Sequence, residues 1–164
     1  MVSMQSDTKN STSDDELLAQ VTELLESDEL TQLMSYTQHG TTTTYDHCVD
    51  VAARALAISN RLKLEVDKGA LIRGALLHDY YLYDWHESPH GWKHSYLHQH
   101  LAAQNARRDF GISDLEYDII SCHMFPIGLK APKSVEGTLV CLADKVSTVS
   151  EVAGGILERI RHGY

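Results

Sequence analysis

The chain has 164 residues, with 14 Lys+Arg against 23 Asp+Glu, a formal net charge of −9. That length supports one domain whose core needs no disulfides, and 43% apolar residues with 3 prolines and 10 glycines exclude a disordered chain. No apolar run approaches the roughly 18 residues of a membrane span, no signal-peptide pattern is read, and the acidic balance without a basic stripe argues against a duplex-nucleic-acid binder.

In chain order, residues 1–13 are polar and aperiodic and read as a disordered tail. Ser13 with Glu16 forms a capping-box pattern that opens a helix over LLAQVTELL, and a short second helix is expected over 29–36. Four threonines at 41–44 precede a long helix expected over 45–62. Its inward stripe carries His47, Val51, Ala55, Ile58 and Leu62. Asp67 reads as the N-cap of the next helix, whose inward positions Leu71 and Ala75 lead to His78. Residues 79–96 read as a long loop rich in aromatic residues and His, a length that is usually functional or mobile in a compact domain.

A helix expected over 97–110 stops at Gly111. Ser113 with Glu116 makes another capping box, for a helix that stops before Pro126. Ser134 caps a last helix through Val152, which Gly154 and Gly155 are expected to interrupt. Neither strand alternation nor an internal repeat is evident. The expected fold is all-α, a single-domain helical bundle over 14–153 with tails at 1–13 and 154–164. Cys48, Cys122 and Cys141 have no paired spacing and read as reduced thiols of a cytoplasmic protein.

Ten histidines is a high count for this length. Four helices each turn an ionisable group onto an apolar face: His47, His78, His123 after Ile119 and Ile120, and Asp144 after Val140 and Cys141. A bare ionisable group on such a face costs several kcal/mol on burial. One buried His is usually a hydrogen-bonded core residue. Four groups from four helices instead suggest a shared polar centre, the way helical bundles build metal sites. The adjacent His78 and Asp79, closing an apolar helix, are the sharpest element.

An upstream His47, the His78–Asp79 pair and a downstream Asp144, in that order on helices, resemble the HD superfamily of metal-dependent phosphohydrolases. The segments YDHCVDVAARALAI, ALIRGALLHDYYLYDW, HLAAQNARRDFGI, IISCHMFP and LVCLADKVSTV are similar to those of small bacterial HD-domain hydrolases, from about Tyr45 to Val152. The resemblance implies that His47, His78, Asp79 and Asp144 hold one divalent ion. His98 and His123 match the positions that supply a second. His98 is preferred over His94, and His94 over His100. Two departures stand out: no GYP motif follows the HD pair, and Gln99 occupies the place of a common proline.

The implied chemistry is two-metal phosphate hydrolysis with Asp79 as bridging ligand. Mn, Fe, Co, Ni or Zn suit the mixed donor set, and Mg is admitted. Lys145 is the candidate for neutralising phosphate charge, with Arg73, Lys93, Lys130 and Lys133 as further cations and no leaving-group acid assigned. The expected partner is a small phosphoester such as a nucleotide, with no role for duplex nucleic acid or membrane; the oligomeric state is not set. Three other readings remain open: a diiron HD-type oxygenase, a non-catalytic metal- or nucleotide-binding module, and a structural His core. Tyr80, Tyr81, Tyr83 and Trp85 either wall the substrate or pack their loop. His86 and His90 in that loop are read as solvated with a substrate contact as the alternative, His39 before a Gly-Thr turn as solvated, and His162 in the tail as without a role.

Overall fold

A computed structural model describes residues 8–84 and 91–162, with side chains over 14–84 and 96–157 and at Arg161. Seven α-helices are present among the described residues: α1 Thr8–Glu26, α2 Asp28–Thr31, α3 Thr44–Leu62, α4 Lys68–Leu77, α5 Gly91–Phe110, α6 Asp114–Cys122 and α7 Val135–His162. The fold is all-α, as expected. A 3₁₀ turn, Gln32–Ser35, follows α2. One feature not anticipated is a small antiparallel hairpin, β1 Thr37–His39 with β2 Thr42–Thr43, which uses two of the threonines that precede α3.

The caps explain most boundaries. Asp67 accepts from Ala70 N at 2.9 Å and starts α4. Ser113 and Glu116 exchange both bonds of a capping box and start α6. Ser134 Oγ accepts from Gly137 N at 3.0 Å at the head of α7. Three expectations need correction. First, α1 begins at Thr8, so Ser13 lies inside it instead of capping it. Second, α5 begins at Gly91 and takes up the end of the expected loop. Third, α7 runs through Gly154 and Gly155 without a break. A helical glycine costs about 1 kcal/mol and does not itself end a helix, and among the described residues no neighbour outside the helix's own turn lies within 4 Å of either glycine's Cβ position.

The core lies between α3, α4, α6 and α7, with Val51, Ala55, Leu71, Leu77, Ile119, Ile120 and Val140 removed from solvent. Each large aliphatic side chain so buried contributes about 1.5–3 kcal/mol. The stripe of α3 leaves the core before Leu62, which is 60% exposed. Gly74 permits the close crossing of α4 and α6, since a Cβ there would meet Ile119 Cγ2 at 2.8 Å. No helix among the described residues is long and apolar enough to cross a membrane.

Candidate metal centre

Two short helices aim their last residues at one point by the same device. His78 caps α4 and His123 caps α6, both still in helical geometry. Each ring folds back so that Nδ1–H donates to a carbonyl three residues earlier, Ala75 O and Ile120 O, both at 2.7 Å. The bond adds a side-chain donor to a carbonyl of the last helical turn, which for Ala75 also accepts from His78 N at 3.4 Å, and it fixes the tautomer. Each Nε2 then presents its lone pair inward. The two helix C-termini converge with their partial negative charge, which favours a cation.

Longer-range packing brings in the rest. His47 on α3 donates from Nδ1 to Glu151 Oε1 on α7 at 2.8 Å, and its Nε2 stands 3.2 Å from Asp144 Oδ1. Asp79, immediately after His78, is 2% exposed. Its Oδ2 lies 3.6 Å from His78 Nε2 and 3.9 Å from His47 Nε2. Its Oδ1 lies 3.3 Å from His98 Nε2 and 3.5 Å from His123 Nε2. The carboxylate therefore turns one oxygen to each pair of imidazoles.

The donors fit a bound cation and fit poorly without one. His78 Nε2 and Asp79 Oδ1 are buried with no hydrogen-bond partner among the described residues, which costs about 1–3 kcal/mol for each such group. His98 Nε2 and His123 Nε2 approach to 2.9 Å, where the tautomer of His123 makes its nitrogen the acceptor and a proton on His98 Nε2 would be displaced by a cation. A neutral His47 would aim a lone pair at the Asp144 oxygen. A shared proton or a metal ion must sit among these atoms. His47, His78 and Asp144 offer ligand atoms all within 4.8 Å of one another, and so do His78, Asp79 and His123. These buried groups can hold a divalent metal.

The charge states follow from the same contacts. Burial opposes the His47 imidazolium, but bonds to Asp144 and Glu151 and the charge of Asp79 outweigh it and raise the pKa to about 10. Burial dominates at His78 and lowers it to about 4, against the pull of Asp79. Asp144 pays for burial but stays below the usual carboxylate range through its bond to His47 and the nearby His78 and His123.

All six side chains expected at the centre meet there: His47, His78, Asp79, His98, His123 and Asp144 are each buried. His98 is the α5 histidine that arrives, while His100 is exposed and the side chain of His94 lies outside the described residues. Gln99 does not displace His98; it is buried against Gly128, whose carbonyl accepts from it at 3.4 Å. Lys145 Nζ donates to His123 O at 3.0 Å and Cys141 O at 3.2 Å, and stands 4.0 Å from Asp144 Oδ2. Arg73 is paired with Glu116 and Lys130 with Asp118. Lys133 is exposed, and Trp85, His86, His90 and the side chains of Lys93 and His162 lie outside the described residues.

Tyr80 and Tyr81 pack their segment instead of facing a pocket, at 1% and 2% exposure. Tyr80 stacks edge-on to Phe110 at 5.2 Å. His39, read as solvated, is half-buried with its ring 6.5 Å from that of His47, and burial lowers its pKa. Two contacts of the centre escaped the sequence reading. Glu151 lies two helical turns beyond Asp144, a spacing that was available to find it. Gln38, which donates from Nε2 to Asp79 Oδ2 at 2.7 Å, sits on a hairpin strand with no periodic signal.

A protein-family model described as HD domain matches residues 44–149, a stretch that contains all six of these side chains. Neither the curated proteins nor the solved structures contain a match.

Proposed function

We propose, since the chain belongs to the HD domain family, that it is a metal-dependent phosphohydrolase acting on a small phosphoester such as a nucleotide. One observation carries this reading: the buried Asp79 carboxylate divides its two oxygens between two pairs of imidazoles. His47, His78, Asp144 and Asp79 are assigned to one ion, and His98, His123 and Asp79 to a second. Bound there, divalent ions supply a hydroxide nucleophile at neutral pH and offset charge on the phosphoryl oxygens. Asp79 has the catalytic role of holding both ions in register.

Charge favours two ions over one. Asp79, Asp144 and Glu151 contribute −3 and Lys145 +1, so one divalent ion leaves +2 − 3 + 1 = 0, whereas two leave +4 − 3 + 1 = +2. Only the second case attracts a phosphate anion. Lys145, with a side chain 40% exposed, brings its positive charge to the rim and ties the end of α6 to α7. The imidazole and carboxylate donors suit Mn, Fe, Co, Ni or Zn and admit Mg. We place the protein in the cytoplasm, where its three free, buried cysteines stay reduced. With a net charge of −9, it has no duplex nucleic acid or anionic membrane surface as partner.

Elemental analysis of untagged protein, followed by phosphatase and phosphodiesterase panels with the metal found, tests the reading. The expected result is about two equivalents of metal and phosphate release that a chelator stops. Iron-dependent oxygen consumption without phosphate release would replace it with an oxygenase. Bound metal without turnover would leave a binding module, and no metal uptake at all a structural core.

A further inference from the structure

We infer that Gln38 is a positioning residue for the metal centre: its amide holds the Asp79 carboxylate in the rotation that gives one oxygen to each imidazole pair. The inference rests on the metal reading above and adds to it a residue from outside the ligand set.

Rotation about the last bond of an Asp side chain is soft and roughly two-fold, so the side chain itself does not choose where its two oxygens point. Among the described residues Asp79 Oδ1 has no amide or hydroxyl donor; it faces only His98 Nε2 at 3.3 Å and His123 Nε2 at 3.5 Å. Asp79 Oδ2 has one, Gln38 Nε2 at 2.7 Å. A carboxylate only accepts, so the amide must turn its NH2 towards Asp79 and its oxygen away. That oxygen accepts from Tyr81 Oη at 2.9 Å and from Thr44 Oγ1 at 3.1 Å. The amide is 8% exposed and engaged on both sides, and a flip would break every one of these bonds. Three segments thus lock one torsion: the hairpin strand β1, the first residue of α3 and the chain just after α4. The NH2 also takes one lone pair of Oδ2 and leaves Oδ1 its full donor strength for the His98 and His123 side.

Partners that orient a metal ligand typically account for 10–100-fold in metal affinity. The test is Co²⁺ titration of metal-free protein, followed by visible absorption, with thermal unfolding of the same metal-free samples. Gln38→Met is expected to raise the Co²⁺ Kd by about 10–100-fold and to change the visible band, because the carboxylate rotates. Tyr81→Phe keeps the amide but removes one of its anchors, and should shift Kd and band in the same direction by a smaller factor. A purely structural Gln38, pinning the hairpin to the bundle, would move only the unfolding temperature. Wild-type Kd and spectrum in both variants overturn the inference; if Gln38→Met does not fold, the same result in Tyr81→Phe does so alone. Wild-type protein that takes up no Co²⁺ overturns the metal reading with it, whereas metal uptake without phosphatase activity removes the proposed function and leaves this result standing.

Discussion

The two ends of α4 show opposite solutions to burial. At its start Asp67 caps Ala70 N, and the Asp67 amide in turn donates to Glu136 Oε1 at 2.8 Å, so the polar groups there are matched. In mid-helix Gly74 meets Ile119 across a dry contact. One turn later His78 and Asp79 are as deeply buried, yet each keeps a nitrogen or oxygen without a hydrogen bond. At the start of α4 the polar groups are matched. At its end they are left open, at a cost of about 1–3 kcal/mol per group, where the proposed ions would enter.

Substitutions should therefore separate into those that change metal and those that change stability. The largest effect is expected for Asp79→Ala, which removes the group shared by both proposed ions. It should lose both equivalents and lower turnover by about 10³-fold or more, with the helical CD retained and the metal-free protein no less stable; elemental analysis and phosphate release measure this. Normal metal content would end the comparison. His123→Ala should lose about one equivalent, the weaker, since the His98 and His123 side lacks a second carboxylate. Its turnover should fall about 10²-fold, the scale of one lost charge-stabilising group. If it retains both metal and rate, His123 is a core residue.

At the dry contact, Gly74→Ala should leave metal stoichiometry intact. Its Cβ collides with Ile119, which costs about 1–3 kcal/mol, and the gain of up to about 1 kcal/mol in helix propensity offsets only part. Urea unfolding would measure the balance. The smallest effect belongs to Glu116, which bonds Arg73 at 2.6 Å and caps α6. Burial raises its pKa, but the Ser113 amide and Arg73 more than compensate and hold it below the usual value. A carboxyl with a lowered folded pKa stabilises above its unfolded value of about 4.5, and that contribution disappears as pH falls through the folded value. Glu116→Gln should cost about 1 kcal/mol at neutral pH, and the gap from wild type should close on acidification below about 4.5. A gap independent of pH would remove the ion pair from the account.

Much of this was readable along the chain because the signals are local. The caps at Asp67, Ser113 and Ser134 stand three residues from the amides they satisfy. His47, His78, His123 and Asp144 could be found because they interrupt apolar faces where an ionisable group needs a reason to be. His98 came only by resemblance, since α5 carries other histidines within one turn. Where local signals misled, the missing term was energetic or non-local. Gly154 and Gly155 looked like a stop, but their helical penalty is small beside the rest of α7. For Tyr80 and Tyr81 the sequence left a substrate wall and loop packing equally open, and the core took them.

The sequence by itself determined the helices, their buried faces and the identity of the ionisable groups on them, since a period of 3.6 residues makes inward positions readable from spacing alone. Only the tertiary structure decided how those groups face one another. Gln38 and Asp79 are 41 residues apart, His47 and Asp144 97, and His47 and Glu151 104. No local period spans such separations. Which imidazole nitrogen points inward, which carboxylate oxygen meets which ring, and that an amide from a two-stranded hairpin sets the angle between them, follow from packing several segments around one buried polar point.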